Sequence, residues 1–169
     1  MKNNKLTIMV GALISSTLLV AGAASAQENV YVNAGVTQHH TKNTDTASIT
    51  GKVGTQINPY FGVEAEGGFG VNEDTYQGVK YKNKGDLGAY AVGTAPVNDK
   101  FSVLGRIGYH HTWEEAKAAG LKVKNDDGSF AAGVGAQYML DTNNGIRADY
   151  TRYTEQKVDN FGVSYVHKF

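Results

Sequence analysis

Two histidine pairs and one glutamate pair are the places in this 169-residue chain where side-chain chemistry could concentrate. The pairs are His39-His40 and His110-His111. Imidazole is the commonest metal ligand, but neighbours in an extended chain point to opposite faces, so neither pair can turn both rings toward one ion. No ligand-spacing motif accompanies them, and they read as polar residues at strand ends. Glu114 and Glu115 are adjacent in a polar segment with nothing converging on them. Hydrolytic carboxylates instead face each other across a substrate. There is no G-x-S-x-G motif and no cysteine. The reading is non-enzymatic: no catalytic, cofactor-binding or metal-ligating residue and no cofactor is expected.

A second group of charges has a different logic. Lys52, Glu64, Glu66, Arg106, Arg147 and Asp149 each fall inside a segment of alternating polarity. Counted from the end of each segment nearest a short turn, Lys52, Glu66 and Arg106 sit at about the sixth position, and Glu64 and Asp149 at about the fourth. Opposite charges at similar depth would pair, because a lone buried charge costs several kcal/mol.

Period-two alternation places these residues on eight strands, at about 29–38, 48–57, 61–70, 85–95, 101–110, 129–140, 146–154 and 161–169. The third is the clearest, with Phe61, Val63, Ala65 and Phe69 alternating with Gly62, Glu64, Glu66 and Gly68. The phase of the fourth stays open: Leu87, Ala89, Ala91 or Gly88, Tyr90, Val92 could form its apolar face. The turns "NPY", "PVNDK" and "DTNNG" are short and rich in turn formers. Between them fall longer polar connections, "HHTKNTDTA", "VNEDTYQGVKYKNKG", "HTWEEAKAAGLKVKNDDG" and a shorter "EQKVD". Strict alternation of short turns and longer loops is the organisation of outer-membrane barrels.

The first residues stand apart. "MKNNK", the apolar run "LTIMVGALISSTLLVAG" and "ASA" at 24–26 match the three parts of a secretory signal peptide. The expected division is a signal peptide at 1–26 and one barrel domain at 27–169. Removing Lys2 and Lys5 leaves 14 basic residues against 16 acidic ones. Such a balance argues against a nucleic-acid partner.

Alternation alone does not say which face is the core. In a soluble barrel the apolar face points inward; in a membrane barrel it points out to lipid. The polar faces here carry charges of both signs at strand centres and many glycines, suited to filling a narrow interior. Aromatic residues on the apolar face form two bands. Phe61, Phe101, Tyr138, Tyr165 and Phe169 lie toward the short-turn ends, and Phe69, Tyr109, Phe130, Tyr150 and Phe161 toward the loop ends. Those are the interfacial girdles of a membrane barrel.

On "FGVEAEGGFG", "FSVLGRIGYH" and the terminal "FGVSYVHKF", the exported chain resembles the OmpA-like and opacity-type small outer-membrane β-barrels. The resemblance implies an all-β, eight-stranded antiparallel up-and-down transmembrane barrel in a Gram-negative outer membrane. It also implies a barrel-assembly signal at Phe161, Val163, Tyr165 and Phe169, with His167 departing from the usual apolar residue, and insertion by the barrel-assembly machinery. Interior ion pairs that block the lumen are implied for Lys52, Glu64, Glu66 and Arg106. The expected role is structural or surface-interacting, in contact with outer-membrane lipid. An extracellular ligand or host surface would be met through the loops, where Trp113 and the Tyr76/Tyr81 region are contact candidates. The alternatives are a narrow gated porin-like channel and a soluble periplasmic ligand-binding barrel.

Overall fold

The computed structural model describes residues 29–41, 45–71, 73–76, 79–118 and 121–169. The segment read as a signal peptide and the side chains of Tyr76, Tyr81, Glu114 and Glu115 lie outside what is described. The described chain is all β, with strands β1 (Val30–His40), β2 (Asp45–Asn58), β3 (Phe61–Gly70), β4 (Glu73–Tyr76), β5 (Val79–Pro96), β6 (Phe101–Ala118), β7 (Leu121–Met139), β8 (Asn144–Tyr153) and β9 (Val158–Lys168). Every pairing is antiparallel, and the order is β3-β2-β1-β9-β8-β7-β6-β5-β4. An additional β3–β5 pairing, from Phe61↔Gly93 to Gly68↔Asp86, closes the sheet on itself. Short β4 only extends the rim beside the outer end of β5, so the barrel has eight staves. First and last strands pair from Tyr31↔Lys168 to His40↔Asp159, and the Phe169 amide donates to the Val30 carbonyl at 3.0 Å. The terminal strand has no free edge along this length.

The three short turns share one local device. Asn58 Oδ1 accepts from the amides of Tyr60 and Phe61, Asn98 Oδ1 from Lys100 and Phe101, and Asp141 Oδ1 from Asn143 and Asn144, all at 2.8–3.0 Å. A short polar side chain that bonds the backbone two and three residues on reverses the chain within a few residues. That is why these sequences end strands.

Polarity is inverted relative to a soluble protein. Ile57, Phe61, Phe69, Ile107, Phe130 and Val134 are all more than 60 % exposed, whereas Arg106 and Arg147 are 2 % and 1 % exposed. Both aromatic bands point outward, as at Tyr109 and Phe130, which meet edge to face at 5.6 Å between ring centres. An apolar belt of this extent needs lipid around it, which removes the soluble periplasmic barrel from consideration. Strand four of the sequence reading also acquires its phase. Leu87, Ala89 and Ala91 face lipid, while Gly88, Tyr90 and Val92 are buried inside.

The strands run further than the alternation suggested. β5, β6 and β7 have 18, 18 and 19 residues, against 10 and 11 for β8 and β9. About 9–11 tilted residues suffice to cross a bilayer. Much of "VNEDTYQGVKYKNKG" and "HTWEEAKAAGLKVKNDDG", read from sequence as loop, is therefore strand that rises beyond the membrane. In water neither face needs to be apolar, so the period-two signal fades while the ladder continues.

Candidate functional site: the lumen

The six charges singled out in the sequence meet inside the barrel. Lys52 stands on β2, Glu64 and Glu66 on β3, Arg106 on β6, and Arg147 and Asp149 on β8, each at an inward position. Strand alternation aims them there, and the tilt of the closed sheet brings strands that are not neighbours to one level. Arg106 Nη1 lies 2.7 Å from Glu66 Oε2 and 3.0 Å from Asp149 Oδ1, and its Nη2 lies 3.4 Å from Glu64 Oε1. Lys52 Nζ donates to Asp149 Oδ1 and lies 3.4 Å from Glu66 Oε2. Arg147 Nη1 donates to Glu64 Oε2 at 2.7 Å, and the Tyr31 hydroxyl donates to the same oxygen at 3.1 Å. Three cations and three carboxylates thus form one connected, charge-balanced network. β2 and β8 do not pair, so the Lys52–Asp149 contact spans the lumen.

Toward the long-strand end lies a second layer that the sequence reading missed. The Arg106 guanidinium carbon sits 3.6 Å above the Tyr90 ring centre. Beyond it His110 is fully buried, stacked on Tyr153 at 4.2 Å and 23°. Tyr90 Oη lies 2.9 Å from His110 Nδ1, and Tyr153 Oη lies 3.0 Å from Nε2. His39 is buried as well, 2.8 Å from Ser48 Oγ and 2.5 Å from Asn160 Oδ1. The first member of each histidine pair therefore faces the lumen, correcting the reading of both as loop-edge residues. The physical reason is that β6 continues to Ala118 and β1 to His40, so His110 is mid-strand and His39 still lies in the ladder. The second members, His40 and His111, face outward; His40 is paired with Asp45, and His111 packs edge to face on Trp113 at 4.7 Å.

Glu66, Asp86 and His110 bring ligand atoms within 4.8 Å of one another. Asp86 Oδ1 faces His110 Nε2 at 3.6 Å, but Glu66 Oε1 faces Nδ1 at 3.9 Å. Two carboxylates on opposite nitrogens of one ring do not converge on a single ion. Glu66 is moreover already held by Lys52 and Arg106, whose charges would repel a cation. This trio is suited to polar contacts around a buried imidazole, not to a metal cage.

A closed antiparallel barrel with an apolar exterior and a charged interior defines an integral outer-membrane β-barrel protein. The profile of the outer membrane protein beta-barrel domain matches residues 10–169, and the chain belongs to that family. Its place is the bacterial outer membrane. No curated protein sequence matches the chain significantly. Among solved structures it is similar to Ail, the attachment invasion locus protein of Yersinia pestis, in complex with the heparin analogue sucrose octasulfate. The identity is 18%, with 85% of this chain and 100% of Ail covered and a TM-score of 0.65. The N-terminal barrel domain of Pseudomonas aeruginosa OprF gives 13% identity, 85% and 98% coverage and a TM-score of 0.64. Neisserial surface protein A gives 15%, 83% and 97%, and 0.59. At these identities the likeness is one of fold.

Proposed function

We propose that this barrel is a non-enzymatic surface-interaction protein whose lumen is plugged by its own ion pairs. The observation that carries the reading is the height of β5–β7, whose outer parts stand clear of any bilayer that β8 and β9 are long enough to cross. A protein serving only as a pore has no need of such a wall. The ladder register sets Lys80 opposite Lys117 and Lys117 opposite Lys122, and two residues further along the strands Glu73, Lys82, Glu115 and Lys124 alternate in sign. The single lysine row across three strands supports an anionic partner, the class to which the sulfated ligand of Ail belongs. Heparin serves as the probe: the protein in nanodiscs is expected to bind it, with affinity falling as salt rises and on Lys117→Glu. Binding that ignores both changes overturns the polyanion reading.

The plug has its own test. In planar bilayers the wild-type protein is expected to be silent and Arg106→Ala to conduct. Steady wild-type conductance would favour the narrow gated channel instead. We also infer that Phe161, Val163, Tyr165 and Phe169 serve as the assembly signal. Phe161, Val163 and Tyr165 point outward with 56%, 39% and 38% exposure, available to another protein before lipid covers them.

A further inference from the structure

The wall that faces the bilayer is not smooth. Across β3, β5, β6, β7 and β8 the register sets Phe61, Gly93, Gly105, Val134 and Tyr150 in one row. The two glycines are direct partners. A Cβ built on Gly93 meets nothing within 4 Å, and one on Gly105 meets only the Gly133 carbonyl oxygen at 3.9 Å. Two neighbouring strands, about 4.8 Å apart, therefore present bare backbone between exposed Phe61 and Val134. The result is a trough of about 500 Å³, its walls completed by Ile107 and Tyr150. A smaller one of about 250 Å³ continues it toward the short turns and reaches Tyr60 and Val103. That end adjoins the turn joining β5 to β6, where Asp99 and Lys100 are adjacent and exposed.

The trough lies inside the apolar belt, so hydrocarbon is what surrounds it. A strip this narrow takes one chain and not an α-helix, whose diameter is about 10 Å. A second barrel would bring an equally convex wall, which touches along a line and leaves the trough unfilled. The neighbouring charges of both signs complement a phosphate and an ammonium carried on one headgroup. We propose that the trough is a binding site for one acyl chain of a zwitterionic phospholipid, with Lys100 meeting its phosphate and Asp99 its ammonium. The lipid comes from the leaflet on the short-turn side, the periplasmic one in a barrel of this family. Because lipid tails are as apolar as the wall, the gain comes from filling a void and not from leaving water. The site is separate from the plugged lumen and from the surface role, and stands or fails independently of both.

The test is a titration of the intact barrel in detergent micelles with dioleoylphosphatidylethanolamine, following the Gly93, Gly105 and Gly51 amides by NMR. Gly51 is the control: it is exposed on β2 and a Cβ there also meets nothing within 4 Å, but it lies outside the trough. Saturable shifts are expected at Gly93 and Gly105, with only a linear drift at Gly51. Phosphoethanolamine, which has no chain, should leave all three unsaturated. Gly93→Leu fills the trough from the lipid side and should abolish saturation at Gly105; Gly105→Leu should do the same at Gly93. Gly51→Leu should change neither. Lys100→Gln should weaken apparent affinity roughly threefold, the scale of an exposed ion pair. No saturation with the lipid, an equal response at Gly51, retained saturation in both filled variants, or unchanged affinity in Lys100→Gln would overturn the proposal. Shifts that track protein concentration at a fixed lipid ratio would overturn it too, by giving the trough to a second copy.

Discussion

Two layers of the same lumen solve the problem of burying polar groups by opposite means. The ionic layer uses full charges in exchange: Arg106 faces three carboxylates and Lys52 two, so each acid except Glu64 touches both of these cations. The layer above, built from Tyr90, His110 and Tyr153, uses ring stacking and hydroxyl–imidazole bonds. The difference is one of risk. Charges in a narrow interior are tolerable only while balanced, so each member depends on all the others. Neutral rings are held mainly by packing, and losing one polar atom leaves most of the contact intact.

The largest effect is expected in the ionic layer, from Arg106→Ala. It removes one of three cations and leaves Glu64, Glu66 and Asp149 facing Lys52 and Arg147 alone. Removing one partner from a buried ionic set costs about 3–5 kcal/mol. Urea unfolding of the barrel in lipid vesicles should show a loss of that size, and a change under about 1 kcal/mol would mean that water already screens the network.

Glycines distinguish inner from outer faces next. A Cβ built on Gly88 would stand 2.6 Å from Tyr90 Cε2 and 2.7 Å from His110 Nδ1, so its missing side chain is the niche in which that layer sits. On the lipid face a Cβ at Gly93 would meet nothing within 4 Å. Gly88→Val is expected to cost about 1–3 kcal/mol by overpacking. Gly93→Ala should stay within about 0.5 kcal/mol of the wild type. Equal effects in the same unfolding assay would mean that the glycines act through strand propensity instead of through space.

In the upper layer the milder change is Tyr153→Phe. It deletes the hydroxyl beside His110 Nε2 and keeps the stacked ring. The expected loss is about 1 kcal/mol, the net worth of a neutral hydrogen bond. A loss matching that of Arg106→Ala would place the two layers in one network.

These layers were unequally legible in the sequence. Lys52, Glu64, Glu66, Arg106, Arg147 and Asp149 were visible because a charge in the middle of an alternating strand has no second explanation once lipid claims the other face. Which charges meet was not visible, since that depends on tilt and stagger around the closed ring and not on position along any strand. Tyr90 was hidden by small residues on both faces of β5, where Ala89, Ala91, Gly88 and Val92 give no contrast. His110 and Tyr153 were hidden because the alternation weakens where the strands leave the bilayer. The signal that could have found them is the run "RIGYH", in which His110 keeps the parity of Arg106. The trough on the lipid face was beyond reach, because a cavity is set by what side chains fail to fill.

The smallest expected effect lies outside the membrane and tests whether charge dependence is confined to the lumen. Glu155, in the connection between β8 and β9, accepts from Ser129 Oγ at 2.5 Å, the Phe130 amide at 2.6 Å and Thr154 Oγ1 at 2.7 Å. Bonds from Ser129 and then Thr154 lower its carboxyl from 4.5 to about 2. A depressed acid contributes stability above its unfolded value and loses it as pH falls through the folded one. The clamp on β7 should therefore hold at neutral pH and weaken between about 4.5 and about 2. Glu155→Gln should speed hydrogen exchange at the Phe130 amide near neutral pH and match the wild type, once intrinsic rates are corrected, near pH 2. Because Glu155 is exposed and β7 below Ala131 is held independently by β6 and β8, the global unfolding midpoint should not move. A midpoint that does move would show that the rim beyond the membrane and the charged lumen unfold as one unit.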